Sequence, residues 1–301
     1  MENQNEKSNK QRIDVHEIVN NRIIELLEQG IVPWRQNWSE RGLPRNLISK
    51  KVYRGINIFL LNALEYKENW FLTYKQAKEL GASIRKGENA HKVIYWKWQE
   101  ENEELTNEHK KRPSLRYYLV YNIDQIENIP PEFIPESDIR HNDVIGNCEK
   151  IIAEMPRSLE ISVEDDMPYY HVGYDYINMP PLEFFQSNEE YYQAVFHEMI
   201  HATGHERRLN RQELMRLNDT FKHKYSVEEL VAEMGTCYLK AVTGLSLDLK
   251  GNTAYIDNWL KFIRENKRAL VYAGTQTQKA VDYILNVHHA EVVKEAEVSH
   301  E

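Results

Sequence analysis

His197-Glu198-Met199-Ile200-His201 is the strongest chemical signal in the chain. On a helix, side chains four apart lie one above the other, so both imidazoles can reach a single metal ion. Glu198 then sits beside that ion, placed to take a proton from the attacking water, as in HExxH zinc hydrolases. The plain alternative is a solvated helix face that happens to carry two spaced histidines. It fits poorly, because Val195, Phe196, Met199, Ile200 and Ala202 surround the motif with apolar groups. Buried polar side chains need partners, and a metal is one.

A third ligand has to come from elsewhere. The metzincin pattern places a histidine six residues after His201, but that position is Arg207, which excludes the subclass. His205 is a weaker candidate, one turn on but beyond Gly204, where the helix should end. Downstream, Glu229 and Glu233 stand four apart in the segment SVEELVAE. In the gluzincin arrangement a second helix gives one carboxylate to the metal, and a carboxylate one turn on fixes the tautomer of a ligand histidine. That pattern puts Glu229 on the metal and Glu233 behind a histidine. Ser226 and Glu229 also have capping-box spacing, so Glu229 keeps a second reading as a helix cap, with Glu233 the substitute ligand. The chemistry implied is metal-assisted hydrolysis: the ion polarises a carbonyl, and Glu198 passes a proton to the leaving amine. Tyr225 and His223 are equal candidates for stabilising the oxyanion. The segment MPYYHVGYDYINMP offers a strand to which an extended peptide can add, with its tyrosines as packing residues.

The elements that must position these groups are legible in outline. Ser187 to Thr203 reads as a helix opened by a Ser187/Glu190 capping box and stopped by Gly204. Ser226 to Lys240, Ile256 to Asn266 and Gln276 to about Glu297 read as further helices. Upstream, Asp138 to Met155 reads as a helix and LEISVED as a strand. Near the start, an apolar stripe from Val15 to Leu27 closes at Gly30. Asn57 can cap a helix to about Lys67, and Thr73 another to Glu79. HKVIYWKW and LRYYLVYN read as strands joined by a loop over Gln99 to Arg112, with Ile94, Trp96 and Trp98 on one buried face. Pro130, Pro131 and Pro135 mark a boundary, giving residues 1–128, a linker at 129–136, and residues 137–301. The class is α+β with two domains.

Charge divides at the same place. The net charge of -9 hides 21 basic against 18 acidic residues over 1–130, and 17 against 29 in the remainder. Over 31–120 the balance is 17 against 10, and five of the six tryptophans lie there. Exposed rings stack on unpaired bases while cations track phosphates, so this mixture suits single-stranded DNA. Trp34, Arg35, Trp38, Tyr53, Arg54, Arg85 and Lys86 are the candidate contacts, and a fragment of residues 1–128 is expected to bind single strands by itself. No recognition helix or zinc finger suggests a duplex reader. The longest apolar run is too short to cross a membrane, and the N-terminus lacks an apolar signal region. Two cysteines, Cys148 and Cys237, exclude a disulfide framework and fit the cytoplasm.

Several blocks together resemble the ArdC-like antirestriction proteins of mobile elements such as conjugative plasmids. The likeness runs from about Ile13 to Leu285 through PWRQNW, YRGIN, LTYKQAKELGASIRKGE, VYNIDQIE, DYINMP, HEMIHATGHERRLNR, EELVAEMG and AYIDNWL. Ala202 departs from the aromatic that many members carry there. The resemblance implies an N-terminal domain that binds single-stranded DNA and a C-terminal zincin-like metallopeptidase domain. It implies His197, His201 and Glu229 on zinc, Glu198 as base, a possible protein substrate, and protection of incoming DNA from host restriction enzymes. The alternatives are a single-strand-binding protein whose zincin domain is structural or inactive, and a conjugation or primase accessory factor.

Overall fold

The computed structural model describes residues 14–35, 42–102, 109–134, 143–157, 159–212, 226–246 and 253–287. Helix α1 covers Val15–Glu28, capped by Asp14, which accepts from the His16 N–H at 2.9 Å. Its apolar stripe, Val15, Val19, Ile23, Leu26 and Leu27, is buried throughout, as the 3.6-residue period requires. Strands β1 (Arg45–Asn46), β2 (Trp70–Leu72), β4 (His91–Asn102) and β5 (His109–Asn122) form one sheet in the order β1-β2-β5-β4. Strand β3 (Ser83–Ile84) pairs antiparallel with β6 (Ile126–Glu127).

Two expectations change in this half. Helix α2 covers Ile56–Asn62 and begins after Gly55, so Asn57 is not its cap. The Asn57 amide is buried and makes two 2.8 Å hydrogen bonds with the backbone of Ile94, pinning β4 to α2. The strands also run further than expected, to Asn102 and from His109, shortening the connection between them. Helix α3, Tyr74–Glu79, carries the expected cap at Thr73, completed by Gln76.

After the Pro-rich segment, α4 (Val144–Glu154) leads into a sheet of β7 (Glu160–Ser162), β8 (Tyr169–His171) and β9 (Tyr176–Asn178), in the order β7-β9-β8. Helices α5 (Asn188–Thr203), α6 (Val227–Thr243), α7 (Thr253–Glu265) and α8 (Ala269–Ile284) follow. The last begins seven residues before Gln276, because Leu270, Val271 and Ala273 are buried core.

The main hydrophobic core ignores the Pro-rich boundary. Val19 and Ile23 of α1, Trp34, and Phe59 of α2 share one cluster with Phe196 of α5, Leu239 of α6, Trp259 of α7 and Val281 of α8. At Gly274 of α8, a Cβ would fall 2.6 Å from the backbone nitrogen of Ile56, so only glycine lets α8 lie against the start of α2. Among the described residues, no helix is long and apolar enough to cross a membrane.

Candidate metal centre

Helix α5 starts where Ser187 Oγ accepts the Glu190 N–H at 3.2 Å. The Glu190 carboxylate accepts from Gln186 N–H instead of completing the box on Ser187. The helix ends at Gly204, and the chain beyond it is tied back to the β8–β9 hairpin. Arg208 bonds the Ala202 carbonyl and forms an ion pair with Asp175, while Tyr170 Oη donates to Asp175. His197, Glu198 and His201 are therefore carried on a helix fixed at both ends.

Helix α6 packs against α5, and Gly235 makes the approach close. A Cβ there would fall 2.5 Å from Ile200 Cδ1. Ser226 caps α6 by accepting the Glu229 N–H at 3.1 Å, which occupies the backbone of Glu229 and leaves its carboxylate facing the histidines. His197 Nε2 and His201 Nε2 stand 3.2 Å apart, and each is 3.5 Å from a Glu229 oxygen. The two carboxylate distances are to different Glu229 oxygens. With one donor taken from each residue, all three lie within 4.8 Å of one another, near enough to converge on a divalent ion, whose tetrahedral donors stand about 3.3 Å apart. The electrostatics agree. Burial pulls the His197 imidazole down, but its hydrogen bond to Glu229 and the carboxylates of Glu198, Glu229 and Glu233 lift it to about 9. The three carboxylates thus make the space beside the His197 ring favourable to a cation.

Behind the histidines lies a carboxylate that the sequence reading missed. Glu228 Oε1 is 3.2 Å from His201 Nδ1, and Arg211 grips the same carboxylate at 2.5 and 2.9 Å. Burial pushes the Glu228 carboxyl up, but Arg211 and His201 hold it down, at about 2. Arg211 also donates to Thr203 Oγ1 and the Ile200 carbonyl, closing the turn after α5. Glu233, expected in this role, points elsewhere: its Oε1 accepts from Arg35 at 3.1 Å and from Tyr255 Oη at 3.0 Å. A signal existed in the adjacent Glu228-Glu229 pair, since neighbours on a helix point about 100° apart. His205 is not in the cluster; its Nδ1 accepts from the Arg207 N–H. Tyr225, His223 and Trp38 lie outside the described residues.

The aromatic and basic candidates separate. Trp34 is 2% exposed, meets Trp259 edge-on and donates to Tyr255 Oη, so its ring offers no face to a base. Arg35 lies over the Tyr255 ring and pairs with Glu233. Both line a cleft of about 310 Å³ together with His197 and Glu198. Tyr53 is buried against Phe71. Arg54 pairs with Asp282 of α8, and Arg85 and Lys86 are exposed after β3. Trp96 and Trp98, expected in the core, are 45% and 61% exposed. They share a face with Ile94, as alternation requires. However, α2 meets this strand at Ile94, through Asn57, and the rings further along the face stay exposed.

A two-part chain with a zincin-like half emerges from this geometry. A family described as zincin-like metallopeptidase matches residues 147–276, and the N-terminal domain of the anti-restriction factor ArdC matches residues 13–121. The crystal structure of the antirestriction ArdC protein from plasmid R388, metal-free, superposes with a TM-score of 0.74 at 34% identity, covering 91% of this chain and 97% of that one. The Mn(II)-bound structure of the same protein gives 0.72 at 32% identity, covering 91% and 98%. The chain is 30% identical to the protein y4eC of Sinorhizobium fredii, over 90% of its own length and 91% of that protein's. It is also 30% identical to the DNA primase TraC of Escherichia coli, over 92% of its own length, but it spans only 20% of that primase. The chain belongs to the ArdC-like antirestriction family.

Proposed function

We propose that this protein binds single-stranded DNA and hydrolyses peptide bonds with one zinc ion, protecting the incoming DNA of a mobile element from host restriction in the cytoplasm. The tripod of His197, His201 and Glu229, with His197 and Glu198 lining one cleft, carries the hydrolytic reading. An ion held by these three side chains supplies a polarised carbonyl and a water of lowered pKa. The chain's own residues do the rest. Glu198 takes the proton of the attacking water and delivers it to the leaving amine. Glu228 holds His201 in one tautomer through Nδ1, leaving Nε2 to face the site. Strand β8, at one edge of its sheet, is available to an extended peptide.

The DNA reading is supported by the exposed aromatic face of the β4–β5 hairpin, set in the basic stretch of the chain. The core beneath the two activities is shared across residues 129–136. The likeness to part of TraC favours a second reading, an accessory factor working beside a conjugative primase. Cleavage of an unfolded protein substrate by zinc-loaded protein, with Glu198→Gln as control, tests the hydrolytic reading. The expected result is loss of cleavage by about 10²–10⁴-fold with zinc content unchanged. Equal cleavage by both forms, or none by either, rejects the enzyme reading.

A further inference from the structure

Antiparallel pairing puts Lys92, Ile94, Trp96 and Trp98 of β4 on one face with Leu119, Tyr117, Leu115 and Pro113 of β5. Two depressions adjoin this face. The first, about 380 Å³, lies between Arg22 of α1, Leu60 of α2 and Lys92. The second, about 390 Å³, lies between Trp96, Arg54 and Lys279 of α8. Ile94 lines both, so they adjoin along the strand. Lys92 to Trp98 spans about 20 Å at roughly 3.3 Å per residue.

We infer that these two depressions and the rings between them form one track for single-stranded nucleic acid, and that α8 of the metal-bearing half supplies part of it. The inference rests on the single-strand reading above. Three observations carry it. Trp96, Trp98 and Tyr117 are large exposed rings on one face, and Lys92 lies over the Tyr117 ring. Cations stand along the track from Arg22, which is partly neutralised by Glu25, and Lys92 to Arg54 and Lys279, matching a phosphate chain. Lys279 is exposed and makes no ion pair among the described residues, whereas Arg54 is partly neutralised by Asp282.

The second depression also fits an unpaired base better than a base-pair edge. Its lining is largely apolar, from Ile56, Ile94, Leu115 and Val271. Its polar side chains already have protein partners: Asn57 on Ile94, Gln278 on Gly55 and Asp282, and Thr275 on Val271. Recognition there is by stacking and charge, which tolerates any base. The Gly274–Ile56 approach makes its floor a rigid seam between the halves.

Fluorescence anisotropy of a labelled oligothymidylate with the full chain tests this across a salt series. Trp96→Ala should weaken binding by about 5- to 150-fold and leave the salt slope alone. Lys279→Gln should weaken binding several-fold and make the log-log slope shallower by about 0.7. Lys150→Gln, at an exposed position of α4, serves as control. If wild type fails to bind, or prefers duplex, the single-strand reading itself falls. If wild type binds but Lys279→Gln matches Lys150→Gln, α8 has no part in the track and the inference is overturned. Normal binding by Trp96→Ala overturns it equally.

Discussion

Arg35 and Glu233, 198 residues apart in sequence, meet in a 3.1 Å ion pair at the wall of the metal cleft. The guanidinium also stacks on Tyr255, whose hydroxyl donates to the same Glu233 oxygen. A turn of the N-terminal half therefore occupies the carboxylate one helical turn beyond Glu229. Glu233→Gln should keep stoichiometric zinc, and Glu229→Gln should lose it. Metal content by mass spectrometry after dialysis separates the two, and the reverse pattern would exchange their roles.

The grip of Arg211 on Glu228 predicts a metal-affinity effect without any contact to the metal. Glu228→Gln should weaken zinc binding by about 10–100-fold, because His201 loses its orienting partner. Arg211→Met leaves the buried Glu228 carboxylate without its guanidinium partner, and should cost about 3–5 kcal/mol of stability. Competition with a chromophoric chelator and urea unfolding measure these. A thermal melt of Arg211→Met indistinguishable from wild type would contradict the assignment.

Gly274→Ala should destabilise the protein by about 1–3 kcal/mol, since the new methyl meets backbone at Ile56 rather than a side chain that can turn aside. Differential scanning calorimetry reads the loss. An unchanged melting temperature would mean that α2 and α8 can separate without cost.

A fragment of residues 1–128 should fail to fold by itself. Trp34 and the stripe of α1 would be exposed, because their covering residues, Tyr255, Trp259 and α8, lie in the other half. Circular dichroism and dye binding check this. A cooperative melt from the fragment would show that the first half carries its own core.

Asp175 gives the structure an acid limb. Burial raises its carboxyl, but Arg208, Tyr170 and His205 bring it below the ordinary 3.8. A depressed carboxyl contributes its full stability above the unfolded value and loses it as pH falls through the folded one. Stability from this pair is thus complete above about pH 4–5 and fades below 3.8. Asp175→Asn should be less stable near neutrality and show a flatter decline in acid, followed by urea midpoints from pH 6 to 3. Parallel curves for the two proteins would refute it.

Local physics made much of this readable from the sequence. The spacing of His197 and His201 puts both on one helical face wherever the helix sits. Ser187, Gly204, Ser226 and Thr73 mark helix ends through bonds made within a few residues. The charge division between the halves needs no coordinates at all. What depended on distant partners could not be read this way. Glu228 and Glu233 have equally plausible spacings, and only the arrival of Arg211 at one and Arg35 at the other decided which backs His201. Trp34 sits among arginines in a Pro-containing turn, yet Trp259 and Tyr255 enclose it. Trp96 and Trp98 alternate like core residues, yet the helix that covers Ile94 leaves them exposed. Periodicity specifies which side chains share a face. Burial of that face depends on what the rest of the chain packs against it, and here the packing partners come from the other half of the molecule.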